Sequence, residues 1–229
     1  MAGRIAYYGN IVKNGLVLAL DAAKKDSYPG SGTVWRDVSG NGFNGTLTNG
    51  PTFSSTNGGN IVIDGVDDYI NGTALSTLLG GSTTFTITIW VNPTNLITGS
   101  ETSAYKTLID TTSRHLSLWV GLNGSGQYYG LGGTTNFYTT NFNWENNKWQ
   151  MVTIIAQTSS GQLIKNNYEV TESILKGASF TQTPSFGNNI STGGSSLQGS
   201  YSNILFYNRA LISTEVTQNY NALKGRYGL

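Results

Sequence analysis

Three carboxylates lie close together in the sequence, at Asp64, Asp67 and Asp68. Such a group, with nearby backbone carbonyls, can supply the oxygen ligands that Ca²⁺ prefers. The spacing differs from that of a helix–loop–helix calcium loop. Asp64 and Asp67 can also cap a tight turn by accepting hydrogen bonds from backbone amides. The sequence therefore leaves two hypotheses open, a calcium site and a capped turn.

Nucleophilic catalysis has little support in the sequence. The chain has no cysteine, and His115 is its only histidine. A serine nucleophile paired with His115 would be expected in a Gly-x-Ser-x-Gly turn, and no such motif accompanies this histidine. We expect a structural or surface role for His115.

A stretch rich in Gly, Asn and Thr carries five aromatic residues that could contact a sugar. Aromatic faces stack on sugar rings, and neighbouring amides and hydroxyls can bond sugar hydroxyls. Packing beneath a loop or at a subunit interface is the alternative role for such aromatics. The candidate residues for glycan or partner contact are Tyr128, Tyr129, Phe137, Tyr138 and Trp144.

The composition disfavours nucleic acid and membrane as partners. Charged residues make up 11% of the chain, the net charge is +1, and Lys24 and Lys25 are the only adjacent basic pair. Phosphate binding requires clustered Lys and Arg, and a bilayer span requires roughly 18 apolar residues. The first 15 residues lack the apolar run of a secretory signal. We expect a neutral surface rich in hydroxyls and amides.

The pattern of turns and apolar residues predicts one all-β sandwich. Asn-Gly, which favours the positive φ of tight turns, occurs seven times. In residues 84–91, Phe85, Ile87 and Ile89 alternate with polar or aromatic residues, which predicts a strand. Further strands are predicted at 15–20, 61–63, 69–70, 105–110, 116–120, 149–156, 163–170 and 201–208.

One short helix is predicted near the C-terminus. Ser213 can cap its start, and Val216, Tyr220 and Leu223 form one apolar stripe. The runs 15–20 and 149–156 are apolar on both faces, so we expect both faces of those strands to be covered.

Residues 1–12 are more apolar than a disordered tail. We interpret them as an assembly arm that docks on a neighbouring subunit, followed by a jelly-roll domain at 13–229. An edge strand of the same sandwich is the alternative. The apolar residues of the arm are Ile5, Tyr7, Tyr8 and Ile11.

Six segments, in order, resemble the laminin G-like members of the concanavalin A-like superfamily. They are GLVLALDA at 15–22, WRDVSGNGFNGTL at 35–47, IVIDGVDDYI at 61–70, TFTITIWVNP at 84–93, WQMVTIIA at 149–156 and YSNILFYNRALISTEVTQNY at 201–220. The resemblance implies a two-sheet antiparallel jelly roll. One departure is LIKNNYEV at 163–170, where the Asn-Gly turn that usually ends the strand is absent.

The opening AYYGN, followed directly by such a domain, resembles virion structural proteins of tailed phages. That resemblance implies localisation in the virion, as a capsid decoration or a tail or fibre component. The implied partners are other virion proteins, further copies of the chain and host-surface polysaccharide.

Glucanases of the superfamily carry two Glu flanking an Asp at alternate positions of one strand. The five glutamates of this chain, at 101, 145, 169, 172 and 215, form no such motif. The sequence therefore predicts a non-enzymatic virion protein. A free-standing carbohydrate-binding module and a glycoside hydrolase are the alternatives, disfavoured by the missing secretory signal and the missing Glu pair respectively.

Overall fold

The structure is a computed structural model that describes residues 11–96, 104–111, 116–123, 126–131, 138–139, 144–157, 161–166, 168–172, 182–188 and 195–229. These residues form two antiparallel eight-stranded sheets and a short C-terminal helix, as the sequence predicts. No helix among them is long and apolar enough to cross a bilayer.

The first sheet has the strand order β14-β13-β12-β7-β16-β5-β4, and β1 pairs with β16 beside this path. Its strands are β1 Leu16–Asp21, β4 Thr52–Ser54, β5 Asn60–Asp64, β7 Phe85–Pro93, β12 Gln150–Ala156, β13 Gly161–Lys165, β14 Tyr168–Glu172 and β16 Gln198–Tyr207.

The second sheet has the order β11-β10-β9-β8-β15-β6-β3-β2. Its strands are β2 Val34–Trp35, β3 Gly45–Thr48, β6 Tyr69–Asn71, β8 Ala104–Thr111, β9 Leu118–Asn123, β10 Gly126–Leu131, β11 Tyr138–Thr139 and β15 Pro184–Phe186.

The main core lies between the sheets. Phe85, Ile87 and Ile89 of β7 are buried in it, as their alternation predicts. Phe206 of the first sheet meets Phe186 of the second edge to face, with ring centroids 6.3 Å apart. Aromatic contacts of this kind join the inner faces of the two sheets.

A second apolar cluster covers the outer face of the first sheet. It contains Trp90 and Met151 from β7 and β12, and Val216 from the helix α2 Ser213–Leu223. Trp90 also stacks on Tyr227, which lies in the 3-10 helix Lys224–Tyr227, at 4.2 Å between centroids. This cluster explains why strands in this sheet are apolar on both faces.

Helix α2 begins one residue earlier than it would if Ser213 were its N-cap, because Ile212 occupies the cap position. Ser213 is its first helical residue, and Glu215 accepts a hydrogen bond from the backbone N–H of Ile212 at 3.1 Å. Val216 and Leu223 of the predicted stripe are buried and Tyr220 is half-buried. The structure also contains a five-residue helix that the sequence did not predict, α1 Leu75–Leu79.

The assignment of Ile11 to an assembly arm is wrong, because Ile11 and Val12 are buried in the second cluster of their own chain. The Asn219 carboxamide accepts a hydrogen bond from the Val12 backbone N–H at 2.9 Å. The Tyr207 hydroxyl donates to the Val12 carbonyl at 3.2 Å. Ile5, Tyr7 and Tyr8 lie outside the described residues.

The predicted strand at 163–170 is instead a hairpin of β13 and β14. Lys165 pairs with Tyr168, and Asn166 has a φ of 54°. Asparagine tolerates this left-handed conformation better than most residues, so the chain reverses without an Asn-Gly pair.

Candidate functional site

Residues 64–68, here called the acidic turn, connect β5 of the first sheet to β6 of the second. The Asp64 carboxylate accepts a hydrogen bond from the Val66 backbone N–H at 2.8 Å. The Asp68 carboxylate accepts one from the Asp64 backbone N–H at 3.1 Å. Two of the three aspartates therefore stabilise the turn, Asp64 as predicted and Asp68 in the place that Asp67 was expected to take.

The same three side chains form a cation-binding candidate. Their nearest carboxylate oxygens all lie within 4.8 Å of one another, with Asp64 and Asp67 exposed and Asp68 buried. Burial raises the pKa of the Asp68 carboxyl, and the negative charges of Asp64 and Asp67 raise it further, while the hydrogen bond from the Asp64 backbone N–H lowers it in part. A bound cation would offset the two effects that raise the pKa.

The donor types fit Ca²⁺, which takes six to eight oxygen ligands. Two nearby carbonyls already accept hydrogen bonds from side chains: Val66 from the Ser196 hydroxyl at 2.8 Å, and Asp67 from the Asn49 carboxamide at 3.0 Å. Three carboxylates supply only part of a calcium shell, so backbone carbonyls or water would have to complete it. Calcium binding stays a prediction.

Asp37 organises the loop of the WRDVSGNGFNG segment. Its carboxylate accepts hydrogen bonds from the backbone N–H groups of Ala19 and Ser39, each at 2.8 Å, and of Gly42 at 2.9 Å. A carboxylate that accepts several amide hydrogen bonds serves to hold a loop. This role was not predicted from the sequence, although the residues at 39–42, Ser-Gly-Asn-Gly, are typical of a turn that such a carboxylate could hold.

Other carboxylates are held by basic side chains. Asp21 pairs with Arg226 at 2.8 Å, and Glu215 pairs with Arg209 at 2.6 Å. Hydrogen bonding to Arg209 lowers the pKa of the Glu215 carboxyl.

Glu145 lies between two lysines, 2.5 Å from Lys148 and 3.8 Å from Lys165. Hydrogen bonding to Lys148 lowers the pKa of Glu145, while burial lowers the pKa of the Lys165 amine. Asp110 is fully buried and accepts a hydrogen bond from the Ser117 hydroxyl. These carboxylates contribute to folding contacts.

The predicted aromatic contact residues are spread over core and edge. Trp144 is 6% exposed and packs in the main core, so its proposed role as a surface contact is wrong. Tyr128 and Tyr129 lie on β10, where Tyr129 pairs with Tyr138 of β11 at the edge of the second sheet. Phe137 and His115 lie outside the described residues. For the three tyrosines, the contact role stays a prediction.

The fold and a family match together define the class of protein. A laminin G-type family model, described as belonging to the concanavalin A-like lectin/glucanases superfamily, matches residues 64–217, which is more than half of the chain. The chain belongs to this family. No curated protein matches the sequence.

Solved structures with the same fold include domain 4 of the extracellular arabinanase AbnA from Geobacillus stearothermophilus, in complex with arabinotriose. It is 18% identical with a TM-score of 0.65, and the match covers 90% of this chain and 98% of that domain. The sialidase of Trypanosoma rangeli is 18% identical with a TM-score of 0.66, covering 92% of this chain and 33% of the sialidase.

The binding domain of botulinum neurotoxin DC, in complex with SialylT, is 15% identical with a TM-score of 0.67. That match covers 92% of this chain and 52% of the toxin chain. At these identities the likeness shows the shared fold alone.

Proposed function

We propose that this protein is a non-enzymatic jelly-roll component of a bacteriophage virion, as a capsid decoration or part of a tail or fibre, with a surface that contacts glycans. The observation that carries the non-enzymatic part is in the sequence, where the five glutamates form no motif of two Glu flanking an Asp at alternate positions. Among the described residues, Asp21, Asp37, Glu145 and Glu215 are held by basic side chains or backbone amides and so contribute to folding contacts.

Glycan contact is supported by the solved relatives. The arabinanase domain was solved with arabinotriose, and the toxin's binding domain with SialylT. Since the second apolar cluster covers the outer face of the first sheet, such a site can form on the outer face of the second sheet or on the loops at the rim.

The virion part rests on the sequence. The AYYGN opening followed by a laminin G-like domain resembles tailed-phage structural proteins, and 11% charged residues suit a neutral exterior. Homo-oligomers and contacts to other virion proteins belong to this proposal.

A free-standing carbohydrate-binding module is the second candidate. It is supported by the match to 98% of the arabinanase domain, which is one domain of that enzyme and was solved with arabinotriose.

The test combines particle attachment with hydrolysis. Full-length protein is mixed with phage particles stripped of surface proteins, and its mass in solution is measured with and without calcium. Saturable attachment and no sugar release from arabinan support the virion role. Polysaccharide binding by a monomer that ignores particles supports the binding module, and sugar release overturns the non-enzymatic assignment.

A further inference from the structure

Four side chains lie together on the outer face of the second sheet, on the adjacent strands β3 and β6. Leu47 and Ile70, the central residues of the group, are buried in the main core. Side chains alternate along a strand, so the flanking residues face outward. We call the outward group, Thr46, Thr48, Tyr69 and Asn71, the tyrosine strip.

The strand register brings these four residues into two facing pairs. Thr46 pairs with Asn71, and Thr48 pairs with Tyr69. Paired Cβ atoms lie about 5 Å apart, and residues two positions along a strand lie about 7 Å apart. The group spans roughly the footprint of one sugar ring. Thr46 is exposed and the other three are half-buried.

The polar side-chain groups of the strip do not bond other parts of the described chain. Within the part of the chain that the structure describes, no intramolecular hydrogen bond involves any of the four side chains. Elsewhere such side chains serve the fold: Asn219 bonds Tyr207 at 3.0 Å, and the Thr86 hydroxyl bonds the Arg209 carbonyl at 2.9 Å.

The next strand adds a buried polar group to the same row. Ser185 of β15 pairs with Asn71, and its neighbour Phe186 lies in the core, so Ser185 also faces outward. Its hydroxyl is buried and has no hydrogen-bond partner among the described residues. Because Ser185 is fully shielded from solvent, a ligand lying on β3 and β6 would contact Asn71 and would not reach this hydroxyl.

The strip has the chemistry of a site for a neutral sugar. An aromatic ring can stack on the C–H face of a sugar, and hydroxyl and carboxamide groups can bond its hydroxyls. None of the four side chains is charged, which favours a neutral ligand over an acidic one. Val34, 42% exposed and paired with Thr46, extends the surface with an apolar contact.

We propose that the tyrosine strip is a binding site for a neutral oligosaccharide. This inference rests on the glycan-contacting part of the proposed function and is independent of the virion part. It places the site on the β2-β3-β6 side of the second sheet, at the opposite edge from Tyr128, Tyr129 and Tyr138.

The test uses the full chain and four neutral probes: arabinotriose, maltotriose, cellotriose and chitotriose. Titration is followed by calorimetry and by amide chemical shifts. At least one probe is expected to bind and to shift the amides of Thr46, Thr48, Tyr69 and Asn71. Tyr69→Ala and Asn71→Ala are each expected to raise its Kd about ten-fold.

Thr52→Ala is the control for Tyr69→Ala and Asn71→Ala, because Thr52 is an exposed residue on β4 of the other sheet. Thr52→Ala is expected to leave binding unchanged. The proposal is overturned if no probe binds, if the shifts cluster on β10 and β11, or if folded Tyr69→Ala and Asn71→Ala bind like the parent. Attachment to particles without sugar binding would overturn this site alone, whereas sugar binding at the strip without particle attachment would overturn the virion role alone.

Discussion

The Arg226 guanidinium donates a hydrogen bond to the Asp21 carboxylate, with Nη1 and Oδ1 2.8 Å apart. Both side chains are almost buried, at 9% and 3% exposure. Nη2 of the same guanidinium bonds the Gly59 carbonyl at 2.9 Å and the Ser202 hydroxyl at 2.6 Å. Arg226 thus fixes the C-terminal 3-10 helix to β1 and β16 and to the residue that precedes β5.

Arg226→Ala should destabilise the protein by about 3 kcal/mol, because it leaves the Asp21 charge buried without its cation. The measurement is urea unfolding followed by tryptophan fluorescence. Lys25→Ala is the control, since Lys25 is exposed, and its effect should stay within about 0.5 kcal/mol. Equal unfolding midpoints for the two variants would contradict the structural role of Arg226.

Replacing Asp68 should stabilise the protein at neutral pH in the absence of divalent cations. Its pKa is raised in the folded state by burial and by Asp64 and Asp67, so its ionised form disfavours folding. The resulting loss in the free energy of unfolding is fully present above the folded-state pKa of Asp68, and it disappears as pH falls below the unfolded-state pKa. Asp68→Asn should therefore melt higher than the parent at pH 7 in EDTA, and the difference should vanish near pH 3.

Asp26→Asn, at an exposed position outside the acidic turn, is the control for Asp68→Asn. A lower melting temperature for Asp68→Asn at pH 7 in EDTA would show that the ionised carboxylate contributes more by accepting the Asp64 amide than it costs.

If the acidic turn binds calcium, the ion should offset the destabilisation that ionised Asp68 causes at neutral pH. A ligand at 100 times its Kd stabilises the folded state by about 2.7 kcal/mol. The parent should then melt higher in millimolar calcium than in EDTA, while Asp67→Asn and Asp68→Asn should lose this difference. Equal melting temperatures of the parent in the two buffers would contradict calcium binding, and the aspartates would then serve only to accept hydrogen bonds within the turn.

Asn219→Ala should cost about 1 to 3 kcal/mol, because it leaves the buried Val12 amide and Tyr207 hydroxyl short of a partner. Urea unfolding gives the loss, and hydrogen exchange at the Val12 amide should accelerate. The control is Asn208→Ala at an exposed position. Unchanged exchange at Val12 would mean that residues 11–12 are held without Asn219.

Local patterns in the sequence were sufficient for much of the fold. The alternation of Phe85, Ile87 and Ile89 correctly predicted the inner face of β7. The spacing of Val216 and Leu223 correctly predicted the buried stripe of α2. These features depend on neighbours a few residues away, so they can be read directly from spacing.

Features that depend on distant contacts were not predictable. An apolar residue at position 11 fits either an arm that docks on a neighbouring subunit or a cluster within its own chain. Only the packing of α2 on the first sheet shows that Ile11 belongs to the cluster. Trp144 follows a stretch rich in polar residues, yet it packs in the main core. The pairing of Thr48 with Tyr69 joins two strands about twenty residues apart, so the tyrosine strip exists only once the sheet has formed.

The placement of Ile11, α2 and Arg226 on the outer face of the first sheet has a practical consequence. The described chain enters and leaves the domain on the side opposite the tyrosine strip. A fluorescent reporter fused after Leu229 would therefore emerge behind the sandwich, on the side away from the tyrosine strip.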